Sequence, residues 1–160
     1  FQYKKGLWML EISTDEEKMI SACGMHCTYC SVHQKKKKPC PGCRFTDDGK
    51  PEHCRNCTIK NCSHAKNLLF CADCPDYPCI LIQRLDTSYR TRYNESLIHT
   101  MKVITEKGMR EYLEQEKNRF TCPACAGALN MHDKKCSVCG QVFEVRPLEL
   151  GSHPPVLHTA

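Results

Sequence analysis

Apolar residues are sparse along this chain, and their spacing changes character twice. Over Phe1 to Glu11, Leu7, Trp8, Met9 and Leu10 cluster without clear alternation, which suits a short strand or an arm laid on the body. Ser13 and Thr14 each stand three residues before a glutamate, Glu16 and Glu17, so either pair can close a capping box and start a short helix. That helix would deliver Met19 and Ile20 to the core and end near Cys23. From Cys23 to Cys79 the apolar periodicity is lost, except at Asn67, Leu68, Leu69 and Phe70, which read as a short apolar helix or strand between two cysteine clusters. Gln34 to Lys38 and Asp47 to Glu52 interrupt this stretch as charged, exposed loops.

The pattern turns helical after Arg84. Leu85, Tyr89, Tyr93, Leu97, Met101 and Ile104 recur every three or four residues, Gly108 bends or ends the run, and Met109, Tyr112 and Leu113 begin a second stripe. Two consecutive helices, or one kinked helix, are predicted. Their polar faces mix Arg90, Arg92, Lys102, Lys107, Arg110, Glu111, Glu114 and Glu116 and read as solvated. Tyr89 and Tyr93 read first as core contacts, with nucleotide stacking as the rival use. Phe120 to Arg146 forms a compact module in which Gln141 to Val145 is predicted to be a strand. Beyond Pro147 the chain is predicted to be irregular, with His153 and His158 as tail residues rather than ligands.

Composition explains why the apolar signal is weak. Only 41% of 160 residues are hydrophobic even with cysteine included, and fifteen are cysteine. Such density belongs to small chains that replace core packing with disulfides or metals. An odd count cannot pair fully within one chain. Six C-x2-C pairs settle the choice toward metal: Cys27/Cys30, Cys40/Cys43, Cys54/Cys57, Cys71/Cys74, Cys122/Cys125 and Cys136/Cys139. Two intervening residues let both thiolates of a tight turn face one ion. No secretory segment can be read in a chain that starts at Phe1, so a reducing, cytoplasmic setting is expected. No run approaches the roughly 18 apolar residues of a membrane-spanning helix.

The cysteines fall into two groups. Cys122-Pro-Ala-Cys125 and Cys136-Ser-Val-Cys139-Gly140, ten residues apart, have the spacing of a four-cysteine zinc ribbon, with a rubredoxin-like iron site as competitor. The other eleven lie between Cys23 and Cys79, where Cys54-x2-Cys57-x4-Cys62 is echoed seventeen residues later as Cys71-x2-Cys74-x4-Cys79. Eleven thiols supply two four-thiolate sites with three over, or three sites if His26, His33, His53 or His64 completes the last. Zinc would make these sites structural, whereas an iron-sulfur cluster would use the same thiolates for electron transfer or binding. Cys23-x3-Cys27-x2-Cys30 has the spacing of radical S-adenosylmethionine enzymes, but the chain lacks the length and pattern of their βα barrel. Three zinc-thiolate sites would take the formal +5 charge to about −1. The basic balance is therefore a weak argument for nucleic acid.

The joint pattern resembles a known family. Cys23-Gly24-Met25-x-Cys27-x2-Cys30, Cys40-Pro-Gly-Cys43-Arg44, Cys57-x-Ile59-Lys60-Asn61-Cys62 and Phe70-Cys71-x2-Cys74-x3-Pro78-Cys79 are similar to the prokaryotic cysteine-rich family catalogued as domain of unknown function 3795. The likeness continues through Leu85-Asp86-x2-Tyr89-x3-Tyr93-Asn94-x-Ser96-Leu97-Ile98 and Ile104-x3-Gly108 toward Gly140. Its members are presumed to bind zinc or iron-sulfur clusters, without a settled activity. The resemblance implies Cys23, Cys27, Cys30, Cys40, Cys43, Cys57, Cys62, Cys71, Cys74 and Cys79 as ligands, with Cys54 additional to the core set.

The resulting expectation is a small metal-stabilised α+β protein. A cysteine-rich knuckle domain spans 13–83, a helical connector 84–118, a zinc ribbon 119–146 and an irregular tail 147–160. Three zinc ions are expected, one held by Cys122, Cys125, Cys136 and Cys139, with an iron-sulfur cluster in the N-terminal block as the alternative. No catalytic constellation can be recognised. A protein-binding adaptor leads, ahead of an electron carrier, a nucleic-acid binder using the ribbon and Gln34 to Lys38, and an enzyme acting through one exposed thiolate such as Cys54.

Overall fold

The computed structural model describes residues 12–150; the expected N-terminal arm, His153 and His158 lie outside them. The predicted cap at the start of this region forms. Thr14 Oγ1 accepts the Glu17 N–H at 3.2 Å, and the Glu17 carboxylate accepts the N–H groups of Ser13 and Thr14 at 2.7 and 3.2 Å. The helix it starts is only the single 3-10 turn Glu17–Met19, not a helix running to Cys23. Ile20 turns extended and bridges antiparallel to His26, and Gly24 makes the intervening turn at φ 95°. A side chain at Gly24 would also stand 3.2 Å from the Leu97 carbonyl, so backbone shape and space both call for glycine.

The cysteine-rich block contains more helix than its composition suggests. Single 3-10 turns cover Cys27–Tyr29 and Cys71–Asp73, and two short helices are α1 (Glu52–Arg55) and α2 (Thr58–Ala65). The helix or strand expected at 67–70 is absent, because Asn67 ends α2 in the left-handed region at φ 53°. Leu68 N–H reaches Ser63 O at 2.9 Å and Asn67 N–H reaches His64 O at 3.0 Å, closing a Schellman motif. The Cys54 and Cys71 triplets consequently lie in different local structures and are not a structural repeat. The 47–52 loop also departs from expectation. Lys50 is buried, and its ammonium donates to the carbonyls of Cys43 and Phe45 and to Asp47 Oδ1 at 3.2, 2.7 and 3.1 Å.

Three helices follow where two were read: α3 (Ile80–Tyr93), α4 (Leu97–Lys107) and α5 (Met109–Arg119). The unforeseen break is at Asn94, left-handed at φ 56°. Asp86, buried on α3, secures that corner by accepting from Ser96 Oγ at 2.8 Å and Ile98 N–H at 3.0 Å, while Ser96 Oγ caps α4 by accepting His99 N–H. Gly108, at φ 90°, separates α4 from α5 as the pattern predicts. The C-terminal module is a hairpin of β1 (Leu129–Asn130) and β2 (Lys135–Cys136), antiparallel with Leu129 opposite Cys136. Asn130 Oδ1 accepts the N–H groups of His132 and Asp133 and shapes its turn. The strand predicted over 141–145 reduces to one bridge, Lys135 to Val142.

Two apolar clusters hold the parts together. Met25, Tyr29, Leu97, Phe120, Cys122, Leu129, Met131 and Cys136 join the cysteine-rich block to α4 and the hairpin. Ile20, Phe70, Met101, Val103, Ile104, Tyr112 and Leu148 join the block to α4, α5 and the segment after the hairpin. Beside them is a buried charge network that the reading of a solvated helix face did not foresee. Arg119 donates to Glu116 and, at 2.6 Å, to Glu95, with all three residues buried.

Candidate metal centre

Each half of the C-terminal site is a turn closed by backbone hydrogen bonds. Ala126 N–H returns to Cys122 O at 2.8 Å with Ala126 at φ 60°, and Gly140 N–H returns to Cys136 O at 3.0 Å with Gly140 at φ 74°. The turns bring Cys122, Cys125, Cys136 and Cys139 together, with all four Sγ atoms within 4.8 Å of one another. Cys122 and Cys139 are 3.7 Å apart, and Cys125 and Cys136 3.5 Å. A regular tetrahedron with metal–sulfur bonds of about 2.3 Å has an edge of about 3.8 Å, so the set fits one ion with four thiolates.

The electrostatics divide that donor set: against a lowering bond from the Gly127 backbone, the side-chain bond to Cys136 pushes the Cys125 thiol up to about 12. Cys136 Sγ accepts the N–H groups of Cys139 at 3.5 Å and Val138 at 3.4 Å. These bonds, the Cys139 one foremost, pull its thiol down to about 6, so this ligand ionises readily. Cys122 and Cys136 are buried while Cys125 and Cys139 face solvent, which anchors the site on the core and leaves its outer edge open. Gly127 is required between the turns, because a Cβ there would lie 2.7 Å from Val138 Cγ2 and 3.1 Å from Cys136 Sγ. Its position between the two ligand turns, Cys122-Pro-Ala-Cys125 and Cys136-Ser-Val-Cys139, is the sequence sign of that requirement.

The N-terminal thiols are arranged differently. Among the described residues, the ribbon set is the one group of three or more candidate ligands whose donor atoms converge within 4.8 Å. Cys27 and Cys43 meet through the Cys43 N–H, which donates to Cys27 Sγ at 3.4 Å. Cys40 N–H returns to Val32 O at 3.0 Å, drawing the 30–40 loop closed. Cys57 and Cys79 are the N-cap residues of α2 and α3, Cys62 lies on α2, and Cys71 opens one 3-10 turn that Cys74 follows. Lys66 Nζ stands 3.5 Å from Cys74 Sγ. Burial pushes the thiols of Cys23 and Cys54 up to about 11 and that of Cys71 to about 12, so metal entry must displace protons.

A cavity of about 280 Å³ opens within this block, lined by Cys23, Cys43, Cys57, Arg44, Lys60 and His64 among others. Arg44 is fixed there by bonds from Nε to Ile20 O and from Nη2 to Leu69 O, both 2.6 Å, and by its stacking over Phe70. Of the candidate histidines, His26 is buried 3.7 Å from Glu116, His33 Nδ1 lies 2.6 Å from Cys40 O, and His53 is exposed. Of these four, His64 is the one that lines this cavity. His132, which was not singled out, ties three segments together. Its Nδ1 accepts Ser31 N–H at 3.1 Å and its Nε2 lies 3.2 Å from Tyr89 Oη. Tyr89 and Tyr93 both pack edge-on against its ring.

Among the described residues, no helix is long and apolar enough to cross a membrane. No curated protein and no solved structure matches the chain. The family match is confined to the cysteine-rich block: it takes in every cysteine from Cys23 to Cys79 and stops within α3, short of the ribbon. Residues 19–84 match the model of the family described as Protein of unknown function (DUF3795).

Proposed function

We propose that this protein is a metal-built adaptor, in which bound ions fix the shape of a surface presented to a protein partner. The observation that carries the reading is the convergence of Cys122, Cys125, Cys136 and Cys139 to distances suited to one ion. Zinc is the ion assigned to that site. Four thiolates leave no position for water, so its role there is structural. The thiols of Cys23, Cys27, Cys30, Cys40, Cys43, Cys57, Cys62, Cys71, Cys74 and Cys79 are assigned to further metal in the N-terminal block, for three centres in all.

Metal analysis of the purified protein tests this. Wild type should carry zinc, Cys139→Ser should lose one equivalent, and the residual protein should melt at a lower temperature. Zinc content unchanged in Cys139→Ser, or an unaltered melt after verified chelation, would overturn the reading. A second reading, an iron-sulfur accessory protein, is favoured by the thiol-lined cavity of the block.

A further inference from the structure

Lys35, Lys36, Lys37 and Lys38 stand in a row at the tip of the loop between Cys30 and Cys40, all four exposed. The loop is tied at its base and to its neighbours. Gln34 N–H returns to Cys30 O and Cys40 N–H to Val32 O, both at 3.0 Å, and Gln34 Nε2 donates to Thr28 O and to Leu129 O of β1, both at 3.1 Å. Ser31 N–H donates to His132 in the hairpin turn. The His132 ring in turn meets Tyr93, the last residue of α3, edge-on with ring centres 4.8 Å apart. The lysine loop, the hairpin and the end of α3 are therefore neighbours around His132.

Most of the cations on these three elements have no acidic partner. Arg90 is taken by Asp86 at 3.7 Å and Lys134 by Glu95 at 3.8 Å, but among the described residues no carboxylate lies within 4.0 Å of the ammonium groups of Lys35 to Lys38 and Lys135 or of the Arg92 guanidinium. From the hairpin turn, Asp133 opposes them. A row of like charges repels itself and is relieved by a run of anions at similar spacing, which a phosphodiester backbone supplies. Arg92 narrows the choice. Its guanidinium lies over the half-exposed Tyr93 ring, 5.0 Å from the ring centre, and forms with it a flat cationic surface. Bases stack on such surfaces when they are unpaired and are withheld from them inside a duplex. A lipid surface fits less well. Among the described residues, the exposed large apolar side chains are Phe45, Leu69, Ile80, Val138 and Val142, none of them in the loop, the hairpin turn or the end of α3.

We infer that the Lys35 to Lys38 loop, Lys135 and Arg92 form a face that binds single-stranded nucleic acid, with the lysines on phosphates and the Arg92–Tyr93 pair beneath a base. This face is separate from the thiol-lined cavity and does not depend on the identity of any metal. Fluorescence anisotropy of the purified protein with a labelled deoxythymidine oligonucleotide, across a salt series, provides the test. Wild type should bind with log K falling against log salt at a slope of about −3 to −4, as for about five phosphate contacts on a single strand. The combined variant Lys35→Gln, Lys36→Gln, Lys37→Gln, Lys38→Gln should bind about tenfold more weakly or worse, with a slope shallower by about 2 to 3. Arg92→Lys, which keeps the charge and removes the plane, should bind about fivefold more weakly at an unchanged slope. Loss of four charges from α4 and α5, by Lys102→Gln, Lys107→Gln, Arg110→Gln and Lys117→Gln, should change the affinity by less than about twofold, because those cations alternate with Glu106, Glu111 and Glu114. No binding by wild type, an undiminished slope in the loop variant or full affinity in Arg92→Lys overturns the proposal. So does tighter binding of a duplex or of an anionic lipid vesicle than of the single strand. Absence of binding together with loss of metal from the loop variant would assign the lysines to offsetting thiolate charge instead. Because all four loop side chains are exposed, zinc content and melting temperature of that variant should match wild type, and the adaptor reading is scored separately by Cys139→Ser.

Discussion

At the scale of single residues, the chain spends buried charge where its apolar content is low. Arg119 neutralises two interior carboxylates, Glu95 and Glu116, and lies over the Phe120 ring. Removing one partner of such a set leaves uncompensated buried charge, so Arg119→Met should cost about 3–5 kcal/mol, measured by urea unfolding. A loss below about 1 kcal/mol would show that water reaches the carboxylates. His132 carries a pH dependence of predictable sign. Burial lowers its pKa below 6.5, assisted by Arg92 and Lys134 and opposed by Asp133. The folded state therefore binds this proton less readily than the unfolded chain. Its contribution is fully present above pH of about 6.5 and is lost as pH falls toward the lowered folded value. Melting temperatures at pH 7.5 and 5.5 should differ more in wild type than in His132→Gln, which removes this titration while acid release of metal remains common to both.

At the scale of elements, short polar side chains decide where helices stop. The stripe from Leu85 to Ile104 keeps its apolar face through Asn94, so periodicity alone could not show that α3 and α4 are separate helices. What divides them is Asn94 at φ 56° together with the Asp86–Ser96 pair, and the Asn94-Glu95-Ser96 run contained that signal in its turn and cap residues. Gly108 was legible because glycine is the residue that most often stops a helix. The ribbon was legible as well, since its ligands are close in sequence and the two turns meet across one hairpin. The N-terminal arrangement was not, because Cys23, Cys43 and Cys57 are brought to one cavity by folding of segments far apart in the chain. Nor could Lys50 or Arg119 be recognised as interior, since charged residues mark solvent by default. The corner itself makes a prediction: Asp86→Ala should leave the Ser96 hydroxyl and Ile98 N–H without this acceptor and cost about 1–3 kcal/mol. Ser96→Ala, which removes both the cap on His99 N–H and the hydroxyl donor to Asp86, should also cost about 1–3 kcal/mol.

At the scale of the whole molecule, the ribbon belongs to the same core as the block. Tyr29, which lies between Cys27 and Cys30, stacks on Phe120 with ring centres 4.4 Å apart, and Met131 N–H donates to Tyr29 O at 2.9 Å. Gln34 Nε2 donates to Leu129 O at 3.1 Å, and Ser31 N–H to His132. Cys122 and Cys136 are at once ribbon ligands and members of the apolar cluster that includes Met25 and Tyr29. Metal bound at the ribbon would therefore fix one wall of the block, and its free energy of binding would be shared with residues about a hundred positions earlier in the chain. Cys139→Ser is the informative perturbation, because that ligand is exposed and its loss opens no cavity in the core. Hydrogen exchange should then show faster exchange of the Tyr29 to Ser31 amides as well as of the hairpin. Exchange that accelerates in the hairpin alone would mean that the ribbon folds as an independent appendage, with the contacts at Tyr29 contributing no stability to the block.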